Sequence, residues 1–308
     1  MKKVFIDGSA GTAGLRIAER LSCRKDIEII KLPEEKRKDQ EARKQALNSA
    51  DIAFLCLPDD AARESVSLVE NPDTVVIDAS TAHRMLPNWA YGFPELSCAH
   101  EEKIRSSKRI AVPGCHASGF IALVYPLIEA GLLERNALLT CHSITGYSGG
   151  GKKMIADYEN EERDPLLGAP RQYGLTQQHK HLKEMQAITG LDVAPIFTPI
   201  VADFYSGMTV TVPLFKAQIK GSVEDIKRIY AEKYTGVIAQ YVESEDDSGF
   251  LSGLKESKKD GMKITVAGNE ERILLIAAYD NLGKGASGAA VECMNIALGV
   301  DKTTGLEL

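Results

Sequence analysis

The sequence predicts an α/β protein of two domains: a parallel sheet wound with helices, then an α+β domain with a largely antiparallel sheet. Three observations predict it. Short apolar runs alternate with helical spacing over residues 4–112. A glycine triplet follows the first run directly. After Cys115 the pattern changes to runs of β-branched strand with few helices between them. The length of 308 residues fits two domains at about 150 residues each.

The elements follow in order. Residues 4–7 form a first strand, and Leu15, Ile17, Ala18 and Leu21 space a helix behind the glycines. A second strand covers 27–32 and ends at Pro33, and the charged stretch 34–44 reads as a solvated loop and helix. Residues 52–57 are apolar throughout, as a strand buried on both faces requires. Further strands cover 75–78 and 109–112, and an apolar helix covers 117–130 with Pro126 as its kink or break. Strands then fit 138–145, 193–197, 208–215, 237–242, 264–267 and 273–279. A helix near 223–234 opens on a capping box of Ser222 and Asp225. Residues 243–261 read as an exposed loop, and 286–298 as a closing helix.

The net charge of -6 disfavours nucleic acid and anionic membranes as partners. No apolar run reaches the roughly 18 residues of a membrane span, and no secretory segment precedes the first strand. A cytoplasmic protein with reduced cysteines is expected. Its six cysteines, at 23, 56, 98, 115, 141 and 293, form no CxxC pair, so no structural metal site is expected.

Gly8, Gly11 and Gly14 read G-x-x-G-x-x-G between a strand and a helix. Such a turn lets the backbone approach a pyrophosphate at the positive end of the helix, the opening of a Rossmann-type dinucleotide domain. Ser9 and Thr12 add hydroxyl donors, and Ala13 lies in the same turn. After the second strand come Lys36, Arg37 and Lys38, cations suited to a 2′-phosphate, so NADP is the expected cofactor. A solvated helix face would carry the same charges.

Ile110-Ala111-Val112-Pro113-Gly114-Cys115 ends a buried strand, turns, and opens a helix on a thiol. The helix dipole favours the thiolate there, so Cys115 reads as a nucleophile rather than a structural cysteine. His181 is its expected acid–base partner. If Thr176 caps the helix, His181 and Glu184 stand three apart, and Glu184 orients the imidazole. On that helix His179 would point about 200° away from His181. His83, His100, His116 and His142 are weaker candidates. The loop Thr145-Gly146-Tyr147-Ser148-Gly149-Gly150-Gly151-Lys152 reads as an anion-binding nest with a point charge. Arg84 closes Ser80-Thr81-Ala82-His83-Arg84 behind the fourth strand, placed to grip a carboxylate or phosphate, although a plain surface arginine fits equally.

Taken together, the glycine turn, Ser80 to Arg84, Tyr91-Gly92-Phe93-Pro94-Glu95, Pro113-Gly114-Cys115, Gly146 to Lys152, His179-Lys180-His181 with Glu184, and Asn281-Leu282-Gly283-Lys284-Gly285-Ala286 resemble the N-acetyl-gamma-glutamyl-phosphate reductases of arginine biosynthesis. The resemblance spans the chain and fits the shorter branch of that family, within the semialdehyde dehydrogenases. The longer branch carries an aromatic residue where His116 stands, Thr at Ser118 and Arg at Lys152.

The resemblance implies an NADP-binding domain of residues 1–114 and 286–308 and a catalytic and dimerisation domain of 115–285. It implies Cys115 as nucleophile, His181 as acid–base group and Glu184 as its support. Ser80, Gly149 and Asn281 join the cofactor contacts, and Arg84, Ser148, Lys152 and His179 contact a small acyl-phosphate substrate. A homodimer or homotetramer is implied, and no metal. Aspartyl or aminoadipyl phosphate are alternative substrates, although Gly114 and the H-x-H pattern disfavour the former. A non-catalytic NADP-binding regulator and a thiol hydrolase are the readings from other classes.

Overall fold

Residues 1–244 and 246–308 are described by the computed structural model, and they divide into two compact units. The first is Met1–Pro113 with Ala286–Leu306; the second is Gly114–Gly285 with Glu307–Leu308.

The first unit runs β1 (Lys2–Asp7), α1 (Thr12–Ser22), β2 (Ile27–Ile30), α2 (Gln40–Ser49), β3 (Ile52–Leu55), α3 (Asp59–Ser67), β4 (Val75–Asp78), β5 (Ala90–Tyr91), α4 (Cys98–Ser106) and β6 (Arg109–Ala111). Its strands pair in parallel in the order β2-β1-β3-β4-β6-β5. Strand alternation sorts the side chains into two cores. Val4, Ile6, Ile52, Phe54 and Ile77 join one apolar cluster; Phe5, Ala53, Leu55 and Val76 join the other. Both faces are covered, which is why these strands read as apolar throughout. The chain leaves β1 toward β2 on one side and returns to β3 on the other. The carboxyl ends of β1 and β3 are therefore a topological switch point, where ligands bind in open parallel sheets.

The second unit runs α5 (Cys115–Glu129), β7 (Thr140–Gly146), α6 (Gly151–Glu159), β8 (Arg171–Gln172), α7 (His181–Thr189), β9 (Ile196–Ala202), β10 (Met208–Phe215), α8 (Val223–Lys233), β11 (Ala239–Tyr241), β12 (Met262–Gly268) and β13 (Arg272–Tyr279). Its sheet order is β11-β12-β13-β10-β7-β9-β8. The pairs β10 with β7 and β13, β12 with β13, and β8 with β9 are antiparallel; β11 with β12 and β7 with β9 are parallel. The sheet is thus mixed and largely antiparallel. Ser222 and Asp225 form the capping box expected at the start of α8. Strand β9 begins after Pro195 and runs past Pro199, further than the sequence suggested. The closing helix, α9 (Gly288–Leu298), returns to the first unit, where Ala289, Val291, Met294 and Ile296 pack into the cluster of β1.

Of the stretch 243–261, expected as exposed loop, Glu245 lies outside the described residues. The remainder is built of turns with one bridge between Asp247 and Phe250. Among the described residues no helix is long and apolar enough to cross a membrane.

Helix α5 is the spine of the second unit. It is buried from His116 to Val124 and packs on β10 and β13, beside α7 and α8. An all-round apolar helix has only the interior to occupy. Of the kink or break expected at Pro126, there is no break, and the helix continues to Glu129. Proline lacks the N–H that the Ala122 carbonyl would accept one turn back. The Tyr234 hydroxyl, just beyond α8, donates to that carbonyl at 2.6 Å instead. The Tyr230 hydroxyl donates to the neighbouring Leu123 carbonyl at 2.5 Å. The lost backbone donor is replaced by a side chain from another element.

Tyr234→Phe is therefore expected to cost about 1–3 kcal/mol, the penalty of a buried carbonyl losing its donor. In a Pro126→Ala background, which restores the N–H, the same substitution should cost much less. Urea denaturation of the four variants measures both. An equal cost in the two backgrounds would refute the donor exchange.

Candidate active site

The glycine turn of the first unit is built for close approach. Gly8 has φ +85°, and a Cβ there would stand 2.3 Å from the Cys56 carbonyl oxygen at the end of β3. A Cβ at Gly14 would stand 2.5 Å from the Gly8 carbonyl oxygen. Gly11 donates its N–H to that same carbonyl at 2.9 Å and is the N-cap of α1, with no side-chain cap. The helix start is thus left to backbone N–H groups, at the switch point. Ser9, Thr12 and Ala13 are partly exposed in the same turn. These residues fit a dinucleotide pyrophosphate. Arg37 follows a short 3-10 turn, Glu34–Lys36, and stands exposed with Lys36 and Lys38.

At the end of β4, Asp78 is fully buried. It accepts from the Ser80 N–H at 2.9 Å and the Ser80 hydroxyl at 2.6 Å, and meets His83 Nδ1 at 2.6 Å. The His83 ring stacks on Trp89, centroids 4.2 Å apart. Arg84 is buried and donates from Nε to the Val112 carbonyl at 2.8 Å and from Nη2 to the Ala79 carbonyl at 3.1 Å. The Ser80 hydroxyl and two Arg84 nitrogens therefore organise the ends of β4 and β6.

In the second unit, Cys115 is the first residue of α5, half-buried, with Gly114 as N-cap. Gly114 has no side chain with which to cap, and a helix leaves its first N–H groups without intrahelical acceptors. Glu184, on α7, accepts the Gly114 N–H itself at 2.8 Å. That is the reciprocal half of a capping box, supplied from another helix. The Tyr279 hydroxyl accepts from the Gly119 N–H at 3.0 Å and donates to the Cys115 carbonyl at 2.5 Å, bridging one helical turn. A Cβ at Gly119 would lie 2.7 Å from that hydroxyl, and a Cβ at Gly285 would lie 3.0 Å from Cys115 Cβ. Both positions need glycine for the thiol to sit where it does.

Three histidines cluster at His116, the residue after Cys115. Thr176 does not cap a helix: α7 begins at His181, so the expected angular separation of His179 and His181 does not apply. The cause is a long-range contact. The Gln177 side chain, on a backbone of φ +55°, donates to the Phe197 carbonyl at 2.7 Å and accepts the Phe197 N–H at 2.9 Å. This holds 174–179 outside the helix, against the start of β9. The His179 and His181 rings then meet edge to face at 4.7 Å, and His179 Nδ1 accepts the His181 N–H at 3.2 Å. His116 lies 5.6 Å from His181 and 5.9 Å from His179. Burial lowers the pKa of His179, and the Lys180 charge lowers it further. Burial, with His179 beside it, pushes His116 down to about 3. Both rings are neutral at physiological pH.

The loop before α6 is only partly a nest. The N–H groups of Gly146, Tyr147 and Ser148 are taken by the carbonyls of Gly207, Phe204 and Tyr205. From Gly151 the chain is helical, an element the glycine run had hidden, and Lys152 stands exposed in its first turn. Ser148 is buried, and its hydroxyl accepts from Asn281 Nδ2 at 2.9 Å; Asn281 Oδ1 accepts the Gly207 N–H at 2.9 Å. Asn281 thus ties β10 to this loop, and Gly149 stands exposed beside it.

Sequence reasoning passed over His116 as a weak candidate and missed Tyr173, Ser143 and Tyr279. One signal was available. In β7, Ser143 and Thr145 point inward and Ile144 outward, an inverted alternation that marks a polar lining.

Comparison with known proteins accords with this geometry. Residues 3–106 match the family description "Semialdehyde dehydrogenase, NAD binding domain", and residues 115–281 match "Semialdehyde dehydrogenase, dimerisation domain". The chain is 45% identical over 306 residues to an N-acetyl-gamma-glutamyl-phosphate reductase of Brucella ovis, covering 96% of this chain and 99% of that one. It is 46% identical over 307 residues to one of Chelativorans sp., covering 96% and 98%. The fold resembles aspartate semialdehyde dehydrogenase II of Vibrio cholerae, at TM-score 0.72 and 15% identity, covering 97% of this chain and 98% of that one. It also resembles the Candida albicans aspartate semialdehyde dehydrogenase solved with NADP, at TM-score 0.65 and 15% identity, covering 96% and 98%. A glycine-lined turn at a switch point, a thiol at a helix start and matches along nearly the whole chain lead to one conclusion: this chain belongs to the semialdehyde dehydrogenase family, among the N-acetyl-gamma-glutamyl-phosphate reductases.

Proposed function

We propose that the chain reduces N-acetyl-gamma-glutamyl phosphate to N-acetylglutamate 5-semialdehyde and phosphate, with NADPH as reductant. The observation that carries the reading is the thiol of Cys115 at the start of a buried helix, with its N-cap held by Glu184 and a histidine cluster that includes the next residue, His116. Full-length identity to reductases of that name supports the substrate.

In the first unit, Gly8, Ser9, Gly11, Thr12, Ala13 and Gly14 hold the pyrophosphate and Arg37 the 2′-phosphate. Bound there, the cofactor supplies a hydride. The Cys115 thiolate attacks the acyl carbon, the carbon–oxygen bond to phosphate breaks, and a thioester forms. Reduction of that thioester gives a thiohemiacetal, its oxygen protonated by His181. Loss of that proton and cleavage of the carbon–sulfur bond release the aldehyde and restore the thiolate. First-turn N–H groups of α5 stabilise the oxyanion. Glu184 acts by fixing the turn that carries the thiol. His179, Ser148, Lys152 and Arg84 orient substrate anions.

The reading takes the protein as a homodimer or a homotetramer. On the sheet face opposite α5, Ile144, Ile196 and Leu274 are exposed, an apolar surface suited to a second copy. It places the enzyme in the cytoplasm, where a reduced thiol persists.

Cys115→Ala should lose turnover by about a thousandfold or more while binding NADPH normally by fluorescence titration. Without NADPH, the wild type should release one phosphate per site in a burst, and Cys115→Ala none. Steady turnover in Cys115→Ala would exclude the thioester. His181→Ala should lose about 10²–10⁴-fold in kcat with its fold retained by circular dichroism. Phosphate-dependent oxidation of the three semialdehydes, with NADP and NAD in parallel, ranks the substrates. Ile144→Asp should shift the mass in solution toward the monomer; an unchanged mass would remove that face from the interface.

A further inference from the structure

The scheme above leaves His116, Ser143 and Tyr173 without work, yet they form one chain of hydrogen bonds. His116 Nδ1 meets the Ser143 hydroxyl at 2.6 Å, and His116 Nε2 meets the Tyr173 hydroxyl at 2.7 Å. The buried, neutral imidazole carries one N–H, so the chain runs in one of two directions.

Hydrogen-bond accounting chooses between them. Ser143 is fully buried on β7, and among the described residues its hydroxyl has the His116 bond alone. If Nδ1 carried the proton, Ser143 would accept it and its own hydrogen would be stranded in the core, at a cost of about 1–3 kcal/mol. If Ser143 donates to Nδ1, no group in the core is stranded. The proton then sits on Nε2 and is donated to the Tyr173 oxygen. The hydrogen of Tyr173 is left over, at the one end of the chain that is only half-buried.

Through His116, the residue after Cys115, Tyr173 is tied to the start of α5, within electrostatic reach of the thiol. Burial raises the pKa of the Tyr173 phenol, and the negative charge of a Cys115 thiolate raises it further, so the phenol stays protonated. Tyr279, the other tyrosine that feels Cys115, has its hydroxyl committed on both sides within the helix. We propose that the Tyr173 hydroxyl is a hydrogen-bond donor to the oxygen of the acyl group carried on Cys115. Ser143 and His116 are positioning residues that keep its hydrogen available by fixing the imidazole tautomer. The inference rests on the Cys115 thioester proposed above.

Tyr173→Phe tests it in the full-length enzyme, with N-acetylglutamate semialdehyde, phosphate and NADP as substrates. The expected result is a kcat lower by about 10²-fold, the usual effect of losing one oxyanion donor, with KM little changed. Alkylation of Cys115 by iodoacetamide should proceed at the wild-type rate, because the thiol itself is untouched. Ser143→Ala leaves the phenol in place but frees the tautomer, so kcat should fall severalfold. The double variant should be no slower than Tyr173→Phe alone, since both act through one hydrogen. Wild-type kcat in Tyr173→Phe, or equal loss of alkylation and turnover, overturns the donor role. Should Tyr173→Phe not fold, an unchanged kcat in Ser143→Ala overturns it. A wild type that oxidises none of the three semialdehydes would instead defeat the reading on which this one rests.

Discussion

The first turn of α5 combines N–H groups that no intrahelical carbonyl can take with a glycine N-cap that offers nothing to them. A fully buried helix tolerates such a start only if other elements hold it. Glu184 takes the Gly114 N–H, Tyr279 spans Cys115 and Gly119, and Gly285 leaves room behind the thiol. The rest of the second unit is arranged so that α7, β13 and the turn after it reach this one place.

The same start explains how the charges are disposed. A helix N-terminus favours a thiolate, but the carboxylate of Glu184 sits on the same turn and opposes it. Two of the three surrounding histidines are held neutral by burial, so they do not offset that carboxylate with positive charge. Two other thiols are muted. Burial, together with Asp78 and Asp7, pushes Cys56 up to about 12, and burial raises Cys141 as well.

Where local chemistry dictated local structure, the sequence was readable. The strand, glycine turn and helix at residues 2–22 follow from apolar alternation and from backbone approaches that only glycine permits. Pro-Gly before Cys115 announced the helix start, and Ser222 with Asp225 announced another. What escaped was set by distant partners. The late start of α7 depends on a side-chain amide pairing with Phe197, twenty residues on. Pro126 read as a kink or break because its replacement donor lies just beyond another helix. Tyr173 had no pattern to betray it, since its meaning comes from a serine and a histidine that the fold brings alongside.

The exchange at Pro126 has a temporal side. A helix normally completes its own backbone bonds as it forms, within about a microsecond and without outside help. Helix α5 cannot: the Ala122 carbonyl waits for a hydroxyl 112 residues later in the chain. During synthesis, at about 5–20 residues per second, that interval lasts several seconds or more. Through it, the half of α5 that follows Ala122 lacks a bond that only a later segment supplies. Helix α5 is thus one of the first pieces of its unit to be made and one of the last to be finished. The docking of α8 completes both the core and the backbone of the helix that carries the thiol.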